Sequence, residues 1–115
     1  GYVAFRLSEM YLIRAEAALE TNRADLAMAD INMIRARANA TLLTNTNNLK
    51  EDILLERRKE LCFEGKRWFD LVRTQKAISV MEPINGLNNE DNYVWPIFLN
   101  EIRLNPLLKQ NSYYQ

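Results

Sequence analysis

Residues 8–38 read SEMYLIRAEAALETNRADLAMADINMIRARA, and this stretch decides the fold. It contains neither Gly nor Pro and is rich in Ala, Leu, Met, Glu and Arg, residues that lose little on entering a helix. Its one break is Asn22, with Asp25 close behind as a start signal for the next segment. The spacing predicts two helices, over 8–19 and 24–38, joined by a tight turn.

The pair fits a helix-turn-helix repeat of the tetratricopeptide type, whose key small and apolar positions fall at offsets of about 0, 4, 7, 16, 20 and 23. Those positions hold Tyr11, Ala15, Ala18, Ala27, Ile31 and Ile34. Three alanines let two helices approach closely, while Tyr11, Ile31 and Ile34 add bulk at the ends of the contact. The sequence holds a single copy of this unit. One hairpin cannot bury its own apolar face, so the rest of the chain, or further sequence, must cover it.

Outward from the hairpin, the Thr- and Asn-rich residues 39–48 read as a solvated loop. A third helix is expected over 49–62, with Leu54, Leu61 and Cys62 on one face and Ile53 beside it. Gly65 interrupts, and a fourth helix over 67–76 places Trp68, Leu71 and Val72 on one side. From residue 77 the character changes: Pro83, Gly86 and the Asn- and Asp-rich residues 88–92 read as loop, followed by the aromatic segment YVWPIFL at 93–99. Pro96 lacks an amide donor, so that segment is expected as an edge strand or an extended arm anchored by Tyr93, Trp95, Tyr113 and Tyr114. Asn100 is placed to cap a short turn over 101–103, which Asn105-Pro106 ends. The expected fold class is mainly α: a tetratricopeptide-like hairpin at 8–38, a second helix pair at 49–76, and a loop and closing arm at 77–115 with little or no strand.

The 115 residues carry 15 basic and 15 acidic side chains, so no long-range field draws the chain to nucleic acid or anionic lipid. The basic clusters Arg35-Ala36-Arg37 and Arg57-Arg58-Lys59 are interleaved with acids, and nucleic acid is not an expected partner. Histidine is absent, which removes the commonest general base and the usual zinc ligand. The single cysteine, Cys62, can form no internal disulfide and reads as a small buried hydrophobe. Three glycines, Gly1, Gly65 and Gly86, cannot build a phosphate-cradling loop, and neither metal nor cofactor is expected. The chain opens on Gly1 rather than Met, which fits a start left by cloning or proteolysis.

Paired carboxylates are the remaining route to catalysis. Glu56, Glu60 and Glu64 lie at four-residue spacing, on one face if the helix runs that far. An acid/base pair of the glycosidase kind is one reading, and a structural ion network the other. Arg57, Arg58 and Arg67 are close in sequence, with Arg57–Glu60 and Glu64–Arg67 at three-residue spacing. An arginine partner lowers a carboxylate pKa, the wrong direction for a general acid, which favours the structural network. Trp68 and Phe69 read as a core aromatic cluster.

The order of these blocks resembles one family. Residues 6–17, RLSEMYLIRAEA, residues 30–38, DINMIRARA, and residues 56–73, ERRKELCFEGKRWFDLVR, are similar to the C-terminal portion of SusD/RagB-type nutrient-binding outer-membrane lipoproteins. Pro96-Ile97, Glu101-Ile102, Asn105-Pro106 and Gln110-Asn111 look like that family's closing segment. Departures are Phe98 in place of a second proline, Ser112-Tyr113 in place of Gly-Tyr, and Lys66 where histidine is frequent. The shared residues Glu56, Arg57, Arg58, Glu60, Glu64, Gly65, Arg67, Trp68 and Asp70 form a structural signature, and no ligand-binding residue carries over.

The resemblance implies a binding protein rather than an enzyme. It would be lipid-anchored at the surface of a Bacteroidetes outer membrane, capturing oligosaccharide or peptide for a SusC-type TonB-dependent transporter. Read without the resemblance, the same helices also suit a free-standing scaffold that binds a protein partner. An uncovered repeat face would further favour a homodimer.

Overall fold

The computed structural model describes residues 5–115, so Gly1 lies outside the described part. These residues form two compact units, one reaching Arg67 and the other running from Trp68 to Gln115. Among them all regular structure is helical.

The first unit holds α1 (Leu7–Glu20), α2 (Ala24–Arg37) and α3 (Leu49–Glu60). The α1–α2 turn is made by Asn22, whose φ of 58° is left-handed, a conformation asparagine tolerates better than most residues. The turn is closed by the Arg23 amide donating to the Ala18 carbonyl at 2.8 Å. Five of the six repeat positions, Ala15, Ala18, Ala27, Ile31 and Ile34, are buried, and Tyr11 packs beside them. Because Ala15, Ala18 and Ala27 are small and fully enclosed, α1 and α2 lie close. Leu49 and Ile53 of α3 complete that cluster. A second group, Leu12, Ile34 and Leu61, continues the core toward the end of α3. The hairpin is thus covered by α3 from within the chain.

Two polar contacts fix this unit. Arg14 Nε and Nη2 donate to both carboxylate oxygens of buried Asp30, at 2.7 and 2.6 Å, tying α1 to α2 in the planar two-bond geometry that guanidinium favours. Residues 39–48 are held by Asn32: its Nδ2 donates to the Leu43 carbonyl at 3.0 Å and its Oδ1 accepts from the Leu43 amide at 2.8 Å.

The end of α3 differs from expectation. The helix stops at Glu60, and a turn through Leu61 and Gly65 follows, with Phe63 at φ 65° and Gly65 at φ 71°. Leu61 is buried, but Cys62 is exposed and Phe63 fully so. The early stop rotates Cys62 off the helical face on which its spacing placed it.

α4 (Arg67–Arg73) leads into the second unit, where α5 (Ala77–Asn85), a 3₁₀ turn at Glu90–Tyr93, α6 (Leu99–Leu104) and a 3₁₀ turn at Ser112–Tyr114 follow. α5 corrects the expected loop. Ala77, Val80, Met81 and Ile84 fall at helical spacing, and Pro83 lies in the last turn, where the helix is about to end. Gly86, at φ 75°, then supplies the left-handed residue that terminates it, its amide donating to the Glu82 carbonyl at 2.9 Å.

Tyr93 meets Trp68 edge-on, with ring centroids 5.9 Å apart, so it anchors the segment as expected. Trp95 does not: it is 88% exposed. Phe69 is also exposed, which reduces the expected aromatic core at 68–69 to Trp68. The segment 94–98 is extended but has no strand partner. Instead the Gln110 side chain takes that place, accepting from the Ile97 amide at 3.0 Å and donating to the Ile97 carbonyl at 2.9 Å. α6 starts at Leu99 and makes no side-chain cap, so Asn100 lies within the helix rather than capping it.

Candidate functional site

The signature residues fall into a buried ion network rather than an open carboxylate face. Glu56 and Arg57 are buried on α3, and Arg58 is exposed. Arg35 of α2 donates to Glu56 at 2.9 Å and to the Thr41 carbonyl at 2.6 Å, joining α3, α2 and the following loop. Arg37 donates to Glu60 at 2.6 Å. Arg6, just ahead of α1, reaches the same acid: its guanidinium donates to the Glu60 carboxylate, the Glu60 carbonyl and the Ser8 hydroxyl. Its Nε donates to Glu64 at 2.9 Å. The expected partners of Glu60 and Glu64 were neighbours on their own helix. The cations that hold them come instead from Arg6 and Arg37, because α3 ends at Glu60 and the three-residue spacing beyond it is no longer helical.

Burial pushes the Glu60 carboxyl up, but hydrogen bonds from Arg37, Arg6 and Ser8 and the charge of Arg6 outweigh it, leaving the group below its ordinary value. Arg6 is raised by its hydrogen bond to Glu64 and, against burial, by Glu60. A glycosidase acid needs a raised carboxyl, so the arrangement works against that chemistry. Nearby, Glu9 is buried and Lys66 reaches it at 3.1 Å. Asp70, on α4, is buried and bonded by Arg73 Nε at 3.0 Å. Arg67 opens α4 and Gly65 shapes the turn before it.

Arg6, Arg35, Arg37 and Asn32 are the members that spacing arguments on 56–70 do not reach. They carry a sequence signal only as letters of the two helical blocks at 6–17 and 30–38.

Two concavities occur in the first unit. One, of about 480 Å³, is an open polar cleft between the end of α1 and the start of α3, bordered by Glu20, Asn22, Asn48 and Lys50. The other, of about 270 Å³, lies between α1 and α2 against Leu7, Tyr11, Met33 and Ile34. Among the described residues no group of three or more His, Cys, Asp or Glu side chains is placed to hold a metal. No described helix is long and apolar enough to cross a membrane.

Such a site, with acids consumed in ion pairs around a tetratricopeptide-like hairpin, defines a helical scaffold. The profile of the SusD family matches residues 1–114, and the chain belongs to that family. It is similar to SusD-like protein P38 of Formosa agariphila, 38% identical across 97% of this chain and 24% of the relative. It is also similar to the starch-binding protein SusD of Bacteroides thetaiotaomicron, 34% identical across 96% of this chain and 21% of that one. A solved SusD-like protein from Bacteroides fragilis superposes with a TM-score of 0.76 at 30% identity, over 91% of this chain and 24% of that structure. The chain therefore spans about a quarter or less of the length of these relatives.

Proposed function

We propose that this chain is part of a cell-surface nutrient-binding protein that captures a glycan or peptide and passes it to a SusC-type TonB-dependent transporter. Its whole protein is a surface-exposed lipoprotein of the outer membrane, and it binds without turning over its ligand. The observation that carries this reading is the family match over residues 1–114 together with a starch-binding relative that preserves nearly the whole chain. The arginine-held state of Glu60 supports binding over catalysis, since a carboxylate already saturated with cations is a poor proton donor. Within the whole protein this quarter serves as scaffold: its buried acids are engaged with arginines and lysine rather than turned toward a ligand.

The test is to purify from outer membranes the polypeptide that contains this sequence. Co-purification of a TonB-dependent barrel, and heat on titration with soluble polysaccharides or oligopeptides, are expected. Purification without a barrel and with no binding across both ligand classes would overturn the reading, as would release of cleaved glycan.

A further inference from the structure

The largest unassigned apolar surface lies on the second unit. Residues 97–110 form a loop closed at its base by the two hydrogen bonds between the Gln110 carboxamide and the Ile97 backbone, with α6 in its middle. A compact loop of this kind ordinarily packs its own side chains inward. Here Ile97 and Ile102 are only half-buried, while Val94, Trp95, Phe98, Leu99, Leu104 and Leu107 are 54%, 88%, 68%, 64%, 80% and 88% exposed. The Ile97–Gln110 clasp, and the Tyr114 hydroxyl donating to the Val94 carbonyl at 3.3 Å, hold the backbone beneath this surface.

We propose that this loop is the surface through which two copies of the chain associate, as a twofold dimer in which the same patch meets itself. Trp95 and Phe98, at roughly 150–250 Å² of burial for a whole aromatic side chain, supply a large share of a patch. With the four aliphatic residues it approaches the ~800 Å² that each partner gives to a standard interface. Exposed apolar patches of that size are uncommon on stable monomers. Charge does not oppose self-contact: Glu101 and Arg103 are the only charged residues in 94–108 and cancel, and the whole chain is neutral. A twofold contact also needs no second complementary surface. The inference stands apart from the proposed nutrient binding. In a polypeptide as long as the relatives, the same surface could be covered from within, and then the isolated chain has no reason to pair through it.

Sedimentation equilibrium of the 115-residue chain from micromolar to millimolar concentration decides the matter. The expected result is a dimer whose dissociation constant rises by about tenfold or more in the double variant Trp95→Ser, Leu107→Asp, the usual scale for losing an aromatic anchor. Met33→Asp, on the α1–α2 face, should leave it unchanged. Both altered loop residues are solvent-facing, so helical circular dichroism should persist. As a second measure, Leu107→Cys in a Cys62→Ala background should cross-link into dimers under mild oxidation. A monomer at every concentration, a double variant that dimerises as the parent does, or assemblies that grow beyond two copies would each overturn the proposal.

Discussion

Asn32 on α2 closes both backbone hydrogen bonds of Leu43, donating to its carbonyl at 3.0 Å and accepting from its amide at 2.8 Å. A primary amide is the shortest group that can offer donor and acceptor side by side, so one side chain replaces a missing strand and holds the loop over 39–48 against the core. Leu43 is thereby packed against the cluster around Ala27 and Ile31. Asn32→Ala should remove both bonds and cost about 1–3 kcal/mol, at the usual 0.5–1.5 kcal/mol for each. Urea unfolding followed by circular dichroism reads the loss, and amide exchange at Leu43 should accelerate selectively. Asn32→Asp keeps the acceptor for the Leu43 amide but turns the donor into a second acceptor facing a carbonyl, so it should rescue little. Full rescue by Asp would mean that the carbonyl contact is immaterial.

The close approach of α1 and α2 depends on Ala15, Ala18 and Ala27, each with no exposed surface. Ala18→Leu would force added volume into that contact, and overpacking of this kind costs typically about 1–3 kcal/mol. The midpoint of thermal or urea unfolding should fall accordingly. The same change at Ala36, which is exposed on α2, should lie within about 0.5 kcal/mol of the parent, as surface changes usually do. Equal behaviour at the two positions would show that the helices do not meet as closely as described.

The hairpin was legible because its signal is local: a 3.6-residue period, small residues at fixed offsets, and one asparagine at the turn. α5 was not, because Pro83 reads as a breaker unless one knows that the helix has only two more residues to run. The extent of α3 was overestimated for a related reason. Leu61 does continue its apolar face, but Phe63 and Gly65 take left-handed angles, and Cys62 turns outward between them. The ion network was visible as a set of acids and hidden in its pairing. Glu60 meets Arg6 and Arg37, which lie 54 and 23 residues away in the chain, and such partners follow from the packing of three helices rather than from spacing on one. Trp95 was expected to anchor its arm, yet the clasp at Gln110 secures the backbone and leaves the indole outside.

Gly65 sits at φ 71°, and a Cβ built there would meet nothing within 4 Å. Gly65→Ala therefore clashes with no neighbour, and its cost is the left-handed backbone alone, about 1–2 kcal/mol. Asparagine tolerates that region better, so Gly65→Asn should cost less than Gly65→Ala. Chemical unfolding of the two variants gives the order. If alanine matched glycine, the turn would have to relax to negative φ, and the placement of Glu64 beside Arg6 would change with it.

Acid should loosen the first unit through Glu60. Its folded pKa lies below the ordinary 4.5, because the hydrogen bonds from Arg37, Arg6 and Ser8 outweigh the opposing effect of burial. The folded state therefore binds the proton less readily than the unfolded chain does. Stability contributed by this group is complete above pH 4.5 and declines as pH falls through the lower folded value. Protonation leaves Arg6 and Arg37 facing a neutral acid, weakening the tie between the entrance to α1, the end of α2 and the end of α3. Glu60→Gln keeps the size and one acceptor but has no charge to lose. Parent and variant should differ most at neutral pH, with the variant less stable, and the gap should narrow as pH falls below 4.5. Urea midpoints measured across that range check the sign directly. A gap that stayed constant, or widened in acid, would show that the arginines do not hold Glu60 in its charged form.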